Sequence, residues 1–322
     1  MRFKYCESHT WIAGSRGMVG AALARRLPKA IPDPSRENLD LRCKVDVEKF
    51  IFKNRPEIIF LAAARVGGIL ANMTSPADFI ADNLQIQTNV ITAAAELGVK
   101  RLVFFGSSCI YPKDAPQPMR EQDLMSGPLE ETNRAYAMAK LAGIELVRAM
   151  RRQYGLDYIS LLPCNLYGPG DTYDARTSHV IPALMLKFRE ALETCAKSVT
   201  IWGTGAPLRE FMHVDDLADA ALHLAGCYRD VEPVNVGTGR EIGIKNLAHM
   251  LGEIAGFKGT IVYDGSKPDG VPRKLLDVTR LSATSWMPRI ELRQGLEQVW
   301  THFLRAPAAC RPSSKVSTKR RA

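Results

Sequence analysis

The chain has 322 residues, 46% of them hydrophobic, and its formal net charge is +9. This length and composition allow one two-lobed domain or two domains, and no apolar run is long enough to span a membrane. Residues 305–322 carry six basic side chains and no acid, which leaves +3 for the rest. That small charge argues against a nucleic-acid binder, and we expect the tail to be disordered and solvated rather than a tether to nucleic acid or a membrane.

The seven cysteines are odd in number and scattered, and no two of them form a Cys-x-x-Cys pair. The N-terminal residues also lack the apolar segment of a signal peptide. We therefore expect reduced thiols, no metal site and a cytoplasmic protein.

The first structural unit is a strand, a glycine turn and a helix. Trp11-Ile12-Ala13 runs into the turn, and Ala21 to Leu27 follows as a helix. Glycines permit a tight turn and let the backbone approach a pyrophosphate, which then sits at the helix N-terminus. The pattern predicts a dinucleotide site made by Gly14, Ser15, Arg16, Gly17, Met18, Val19 and Gly20.

The end of the second strand usually carries the residue that discriminates between dinucleotides. An acid there binds a ribose hydroxyl, and an arginine accepts a 2′-phosphate. Asp33 and Arg36 both lie in this stretch, whose two prolines predict a short or frayed strand. Arg16 could help Arg36 to hold a phosphate, so the sequence favours NADPH while leaving Asp33 as the alternative discriminator.

Strands then alternate with helices. The apolar run 58–64 predicts a buried parallel strand, 76–87 and 89–97 predict two helices, and 101–105 and 158–162 predict two more strands. This alternation predicts an α/β fold, a Rossmann-type doubly wound parallel sheet with right-handed crossovers. Ligands bind beyond the carboxyl ends of such strands, where Gly14, Ala64 and Ser107 lie.

A Ser-Tyr-Lys set follows the strand at 101–105. Tyr136 and Lys140 are four residues apart on a predicted helix, so they share one face, about 6 Å apart along the axis. We expect the ammonium to favour the ionised phenol, and Ser107 can hold a carbonyl oxygen nearby. The three side chains suit hydride transfer to or from a carbonyl, coupled to proton transfer at its oxygen. Tyr-x-x-x-Lys is common by chance, but its place at the ligand edge of the sheet favours the catalytic interpretation.

The regular alternation of strands and helices ends after residue 165. Residues 170–210 are rich in loops, a helix extends to about Ala196, and Asp215 or Asp216 could cap a helix through Leu224. We expect an NADP-binding domain over 1–165 with a return segment at about 211–240. A smaller, mostly C-terminal α/β substrate lobe is expected over 166–304.

Together these segments resemble the extended short-chain dehydrogenases/reductases and, within them, the GDP-L-fucose synthase family. The resemblance extends from about residue 11 to 304. It is carried by these stretches in this order: Gly14 to Gly20, Ala62 to Gly68, Gly106 to Pro112, Tyr136 to Lys140, Asn165 to Pro169, Ser178 to Pro182, Arg209 to Asp216, Asn235 to Gly239 and Pro268 to Arg280.

The resemblance implies that NADPH and GDP-4-keto-6-deoxy-D-mannose bind in one site, which inverts C3 and C5 and then reduces the C4 ketone. It implies that Cys109 and His179 are the acid–base pair of inversion, and that Ser107, Tyr136 and Lys140 serve reduction. The implied cofactor contacts beyond the glycine turn and Arg36 are Phe105, Gly106, Ser107, Ser108, Lys140, Pro163, Cys164, Asn165, Leu166 and His179. The implied substrate contacts are Lys187, Trp202, Arg209 and Asp269, with Lys274 and Arg16 as further candidates.

Other interpretations remain open at this point. A nucleotide-sugar 4-epimerase or 4,6-dehydratase shares the fold and the Tyr-x-x-x-Lys motif, but the Ser107-x-Cys109 pair and Arg36 argue against both. A non-catalytic NADPH-binding regulator is a different class, against which the intact Ser107, Tyr136 and Lys140 argue. The resemblance also implies a homodimer formed through helices at about 83–97 and 136–153.

Overall fold

The computed structural model describes residues 5–174, 178–267 and 269–305, so the predicted basic tail lies outside the described residues from 306 onward. The strands and helices are, in chain order, β1 (Thr10–Ala13), α1 (Met18–Arg26), α2 (Lys44–Asn54), β2 (Ile58–Leu61), α3 (Ile69–Thr74), α4 (Pro76–Glu96), β3 (Arg101–Phe105), α5 (Arg134–Tyr154), β4 (Asp157–Pro163), β5 (Asn165–Tyr167), α6 (Val180–Glu193), β6 (Ser198–Trp202), β7 (Leu208–His213), α7 (Val214–Cys227), β8 (Val234–Val236), β9 (Glu241–Gly243), α8 (Ile244–Ala255), β10 (Thr260–Asp264), β11 (Arg273–Lys274), α9 (Thr279–Ser282) and α10 (Leu292–Arg305). None of the described helices is both long and apolar enough to cross a membrane.

Five parallel strands form the central sheet in the order β1-β2-β3-β4-β8. Every residue of β1, β2 and β3 is buried, as expected for strands covered on both faces. Helices α1 and α7 pack together as one layer, and α2, α4 and α5 form another. The predicted doubly wound parallel sheet is confirmed.

The predicted second strand is reduced to a single bridge. Ile31 donates its N–H to Thr10 O and accepts from Ile12 N, while Pro32 and Pro34 lack the N–H that would extend the pairing. Ile31 therefore lies on one side of β1 and β2 lies on the other. The order of the strands reverses at β1, which is where ligands of such sheets bind.

The prediction of separate helices at 76–87 and 89–97 was wrong, because α4 runs unbroken from Pro76 to Glu96. No glycine or proline interrupts it, and the Thr92 hydroxyl turns back to the Thr88 carbonyl within the helix. Helix α5 packs closely on α4 and β3 because Gly143 has no side chain. A Cβ there would lie 2.5 Å from the Phe104 ring.

A second, smaller core lies in the later part of the chain. It contains apolar residues of α6, α8 and α10 together with residues of β6 and β7. Strand β6 pairs with β10, and β7 pairs with β5, β9 and β11. Helix α6 ends at Glu193, three residues before the predicted end.

Capping of α7 by Asp215 or Asp216 was also predicted wrongly. His213 is the N-cap, and its Nδ1 accepts the Asp215 N–H at 3.2 Å. Asp216 instead accepts the N–H groups of Arg289 and Ile290, so its carboxylate holds the segment before α10.

The chain returns to the first core twice. Most of α7 and β8 belongs to that core, as do Leu276, Leu281 and Trp286 much later in the sequence. The second return was not part of the predicted organisation. The exact domain boundaries stay a prediction.

The glycine turn provides a test of the packing between α1 and β1. A Cβ at Gly20 would lie 2.0 Å from Gly14 O, whereas the nearest atom to a Cβ at Gly17 is 3.5 Å away. We expect Gly20→Ala to lower the free energy of unfolding by about 1 to 3 kcal/mol, because backbone has to shift. Gly17→Ala is the matched control, expected to change it by less than about 0.5 kcal/mol. Urea unfolding without nucleotide measures both, and equal losses would contradict the packing argument.

Candidate active site

The glycine turn forms a cradle at the carboxyl end of β1. Gly14 has a φ of +93°, and a Cβ on it would lie 2.5 Å from Ala63 N. Gly17 N donates to Gly14 O at 3.0 Å, and α1 begins at the next residue. Among the described residues no side chain caps this helix, so its first N–H groups face the crevice without a side-chain acceptor. Such a terminus suits an anionic pyrophosphate.

Asp33 holds this cradle in place of the missing strand. Its carboxylate accepts N–H groups from Trp11 Nε1 at 2.9 Å, Gly14 at 2.5 Å and Ser15 at 3.2 Å, and its own N–H donates to Ser15 Oγ. Burial raises the pKa of Asp33, and these hydrogen bonds and the charge of Arg16 counteract only part of that effect. With its oxygens occupied in this way, Asp33 is a positioning residue of the turn.

Arg16 and Arg36 are both exposed at this end of the sheet. Arg36 lies close enough to Asp40 to help lower the pKa of that carboxyl, which reaches about 2 mainly through the hydrogen bond from Arg42. Two exposed guanidinium groups beside the cradle fit a 2′-phosphate better than a ribose hydroxyl.

The carboxyl ends of β3 and β4 form the next part of the crevice. Gly106 N donates to Leu161 O at 2.8 Å, and Cys164 N donates to Val236 O at 3.0 Å. A Cβ on Gly106 would lie 2.7 Å from a methyl group of Leu162 and 3.3 Å from Leu161 O, so the chain is closely packed where β3 leaves the sheet. The predicted cofactor contacts at 105–108 and 163–166 therefore lie side by side. Their contact with a cofactor stays a prediction.

Ser107, Tyr136 and Lys140 converge at this edge. The Ser107 hydroxyl lies near enough to the Tyr136 phenol to lower the pKa of that phenol. Lys140 Nζ lies 6.0 Å from the centroid of the Tyr136 ring and donates to Phe105 O at 2.8 Å.

The expectation that Lys140 favours the ionised phenol was wrong for this structure. Burial, followed by the nearby Cys109 thiol, raises the pKa of Tyr136, and the Ser107 hydrogen bond offsets only part of this. Burial also lowers the pKa of Lys140 to about 7, so the lysine is itself only partly charged near neutral pH. The phenol is therefore a protonated donor.

Cys109 lies beside this set. Ser107 Oγ accepts the Cys109 N–H at 3.2 Å, and Lys274 Nζ donates to Cys109 Sγ at 3.3 Å. Burial alone would raise the pKa of the thiol, but the charge of Lys274, helped by Ser107 and by Arg209, lowers it. The thiol is thus prepared to act as a base.

His179 is the residue immediately before α6, and part of it is exposed to solvent. The surrounding protein lowers the pKa of its imidazole, and the charge of Lys274 lowers it further. His179 and Cys109 therefore share one cationic neighbour, which agrees with an acid–base pair across one cleft. Their roles stay predictions.

The predicted substrate contacts fall into two groups. Arg209 lies near Asp269 and Cys109, whose charges partly oppose the lowering of its pKa by burial. Lys187 Nζ lies 5.4 Å from the centroid of the Trp202 ring, whose side chain is 67% exposed. Among the contacts that the structure describes, none joins Lys187 or Trp202 directly to Ser107.

Two residues of this region were missed by sequence reasoning. Lys267 Nζ lies 5.8 Å from the centroid of the Trp202 ring. Thr204 donates its N–H and hydroxyl to Asp269, at 2.9 and 2.6 Å. Sequence reasoning could have found Lys267 from its position two residues before Asp269, whereas no local pattern marked Thr204.

The sheet, the glycine cradle and the Ser-Tyr-Lys set define a dinucleotide-dependent enzyme that acts at a carbonyl or hydroxyl carbon. Residues 10–237 match the model of the NAD dependent epimerase/dehydratase family. The chain belongs to this family and, within it, to the GDP-L-fucose synthases.

Three comparisons illustrate the relationship. GDP-L-fucose synthase 1 of Arabidopsis thaliana is 50% identical over 299 residues, which cover 92% of this chain and 93% of the relative. GDP-L-fucose synthase of Escherichia coli strain K12 is 47% identical over 311 residues, covering 92% and 97%. A crystal structure of a GDP-L-fucose synthetase from Naegleria fowleri bound to NADP is 26% identical, with a TM-score of 0.83 and coverage of 92% and 93%.

The exposed arginines provide a test of cofactor selection. We expect Arg36→Ala to weaken NADPH binding about 10- to 100-fold and NADH binding much less, because a charge-assisted contact to the 2′-phosphate is lost. Arg152→Ala, another exposed arginine, is the control and should change neither. Calorimetric titration of both dinucleotides measures the difference. Equal losses for both would contradict the assignment and return the discriminating role to Asp33.

Proposed function

We propose that this protein is an NADPH-dependent epimerase/reductase that converts GDP-4-keto-6-deoxy-D-mannose into GDP-L-fucose. The observation that carries the proposal is that the Ser107 hydroxyl accepts the Cys109 N–H and also lies near enough to the Tyr136 phenol to lower its pKa. A reductase needs only the phenol. A base in contact with the same serine suits a ketone whose neighbouring carbons are also inverted.

The cradle around Gly14 and Gly20 fits a dinucleotide, because it offers close backbone approach and uncapped N–H groups at α1. Arg16 and Arg36 supply charge for a 2′-phosphate. When bound, NADPH supplies the hydride for reduction. The chain positions it with the turn, and Lys140 is held at the carboxyl end of β3 by its bond to Phe105 O.

Inversion begins at a carbon next to the C4 ketone. The Cys109 thiolate takes the proton from C3 or C5, and the negative charge moves to the C4 oxygen, where Ser107 and Tyr136 can donate hydrogen bonds. His179 returns a proton to the opposite face of the same carbon. The proton balance closes because one side chain gains what the other loses, and solvent restores both.

Reduction uses the other half of the site. The Tyr136 phenol gives its proton to the C4 oxygen as a hydroxyl forms there. The raised pKa of the phenol keeps this proton in place before the reaction. Ser107 aligns the carbonyl oxygen with the phenol.

The charged groups of the second lobe suit the GDP portion of the substrate. Trp202 offers an exposed flat surface for a base, with Lys187 and Lys267 near its ring. Arg209, held beside Asp269, suits a diphosphate because its guanidinium can form two parallel hydrogen bonds.

The overall proposal is tested by incubating the protein with GDP-4-keto-6-deoxy-D-mannose and NADPH. We expect stoichiometric loss of NADPH and an L-fuco product identified by NMR. A 4-epimerase or a 4,6-dehydratase would cycle its dinucleotide without net loss. A non-catalytic regulator would bind NADPH and leave the sugar unchanged.

The two half-reactions can be separated by substitution. We expect Cys109→Ser to slow solvent-deuterium exchange at C3 and C5 by roughly 10²- to 10⁴-fold, because a hydroxyl is a far weaker acid than a thiol. Tyr136→Phe should slow NADPH consumption by a similar factor, whereas exchange should continue at a lower rate because Ser107 can still donate to the C4 oxygen. Cys43→Ser, at an exposed free thiol, is the control. Reactions in heavy water, read by NMR and by NADPH absorbance, decide the matter. A Cys109→Ser variant that exchanges at the parent rate would overturn the role of this thiol.

We infer that the protein forms a homodimer through α4 and α5. Both helices are 21 residues long, and their outward faces carry exposed small or apolar residues, including Ala81, Met138 and Ala142. We expect a dimer mass by light scattering at micromolar concentration. Ala142→Arg should be mostly monomeric, because the arginine side chain would separate the helices of the two subunits. Ala283→Arg at another exposed alanine is the control. A parent protein of monomer mass would refute the inference.

The chemistry also favours the cytoplasm as the place of action. The proposed base is a thiol, and the cysteines of the described residues are all free. A reducing compartment keeps such a thiol available.

A further inference from the structure

Lys274 forms an unusual contact at the centre of the cleft. Its Nζ donates to Cys109 Sγ at 3.3 Å across 165 residues of sequence. Lys274 is in β11, where its Cα pairs with that of Arg209 on β7. The parallel pairing thus places two cations side by side, and both act on the thiol.

The same cation acts on the second member of the proposed acid–base pair. Lys274 lowers the pKa of His179, in addition to the larger effect of the surrounding protein. Three ionisable groups therefore act on Cys109 or His179 from different elements: Arg209 on β7, Tyr136 on α5 and Lys274 on β11. Tyr136 is neutral near pH 7 because burial raises its pKa, and Arg209 is also engaged with Asp269.

We propose that Lys274 is a positioning residue for inversion, whose ammonium, 3.3 Å from Cys109 Sγ, favours the thiolate form of that side chain. The catalytic role of Lys274 rests on the proposed function. Its electrostatic effect on the neighbouring side chains does not depend on that function. A cation stabilises a neighbouring thiolate and destabilises a neighbouring imidazolium, so one side chain shifts both equilibria towards proton loss.

Two consequences follow if Lys274 is replaced by an uncharged residue of similar length. The thiolate loses its cationic partner, so the pKa of Cys109 rises. The imidazolium loses a repelling neighbour, so the pKa of His179 rises as well. Both limbs of a pH profile for inversion should then move to higher pH, since the acid limb needs the thiolate and the basic limb needs the imidazolium.

The direct test uses no sugar nucleotide. Alkylation of Cys109 by iodoacetamide is followed against pH, with the modified peptide identified by mass spectrometry. For Lys274→Met we expect the midpoint to rise by about 1 to 3 pH units, the range for losing an opposite charge at this distance. Lys274→Arg keeps the charge and should stay within about 0.5 unit of the parent. Lys113→Met, at an exposed lysine, should not move it.

The second test is the pH profile of solvent-deuterium exchange at C3 and C5. For Lys274→Met we expect both limbs to move upward, whereas a merely structural loss lowers the whole profile without moving its limbs. An unchanged alkylation midpoint in Lys274→Met would overturn the proposal. If the midpoint rises in Lys274→Met but the parent protein leaves GDP-4-keto-6-deoxy-D-mannose unchanged, the electrostatic coupling is supported and the proposed function is rejected.

Discussion

The buried carboxylate of Glu210 joins the two lobes at the site. One of its oxygens accepts the N–H groups of Thr238 and Gly239, at 2.6 and 2.7 Å, and the other accepts that of Leu276 at 3.0 Å. Its side chain is fully buried, so separating these segments would leave a charge without partners, which is costly. Arg209 precedes Glu210 on β7, and successive side chains of a strand point to opposite faces. The carboxylate therefore fixes, from behind, the strand whose cation faces Cys109.

Burial sets the protonation state of each reactive group in this cleft. It raises the pKa of Tyr136 and lowers that of Lys140 to about 7, while the cations beside Cys109 outweigh its effect on the thiol. In the proposed mechanism the phenol therefore has a proton to donate for reduction, and the thiolate can accept one during inversion. The two tendencies coexist because the charges of Lys274 and Arg209 act on Cys109, whereas burial dominates at Tyr136 and Lys140.

Much of the fold and of the chemistry could be predicted from local sequence. The apolar run at 58–64 and the glycine turn are local signals, and both elements formed, although the strand ends at Leu61. The unbroken α4 and the His213 cap were mispredicted, because tertiary packing and not composition decides where such elements break or begin. The contact between Lys274 and Cys109 joins residues 165 positions apart, and only the pairing of β11 with β7 reveals it.

The shortened second strand shows how one carboxylate can substitute for backbone pairing. A full strand beside β1 would brace the glycine turn through ladder hydrogen bonds, which Pro32 and Pro34 prevent. Asp33 lies between these prolines and instead binds Trp11 Nε1 and the N–H groups of the turn. Because those bonds occupy the acid at the position that elsewhere meets a ribose hydroxyl, we expect the exposed Arg16 and Arg36 to be the groups that recognise the nucleotide. The hydrogen bonds of Asp33 therefore stabilise the glycine turn and also favour a cofactor with a 2′-phosphate.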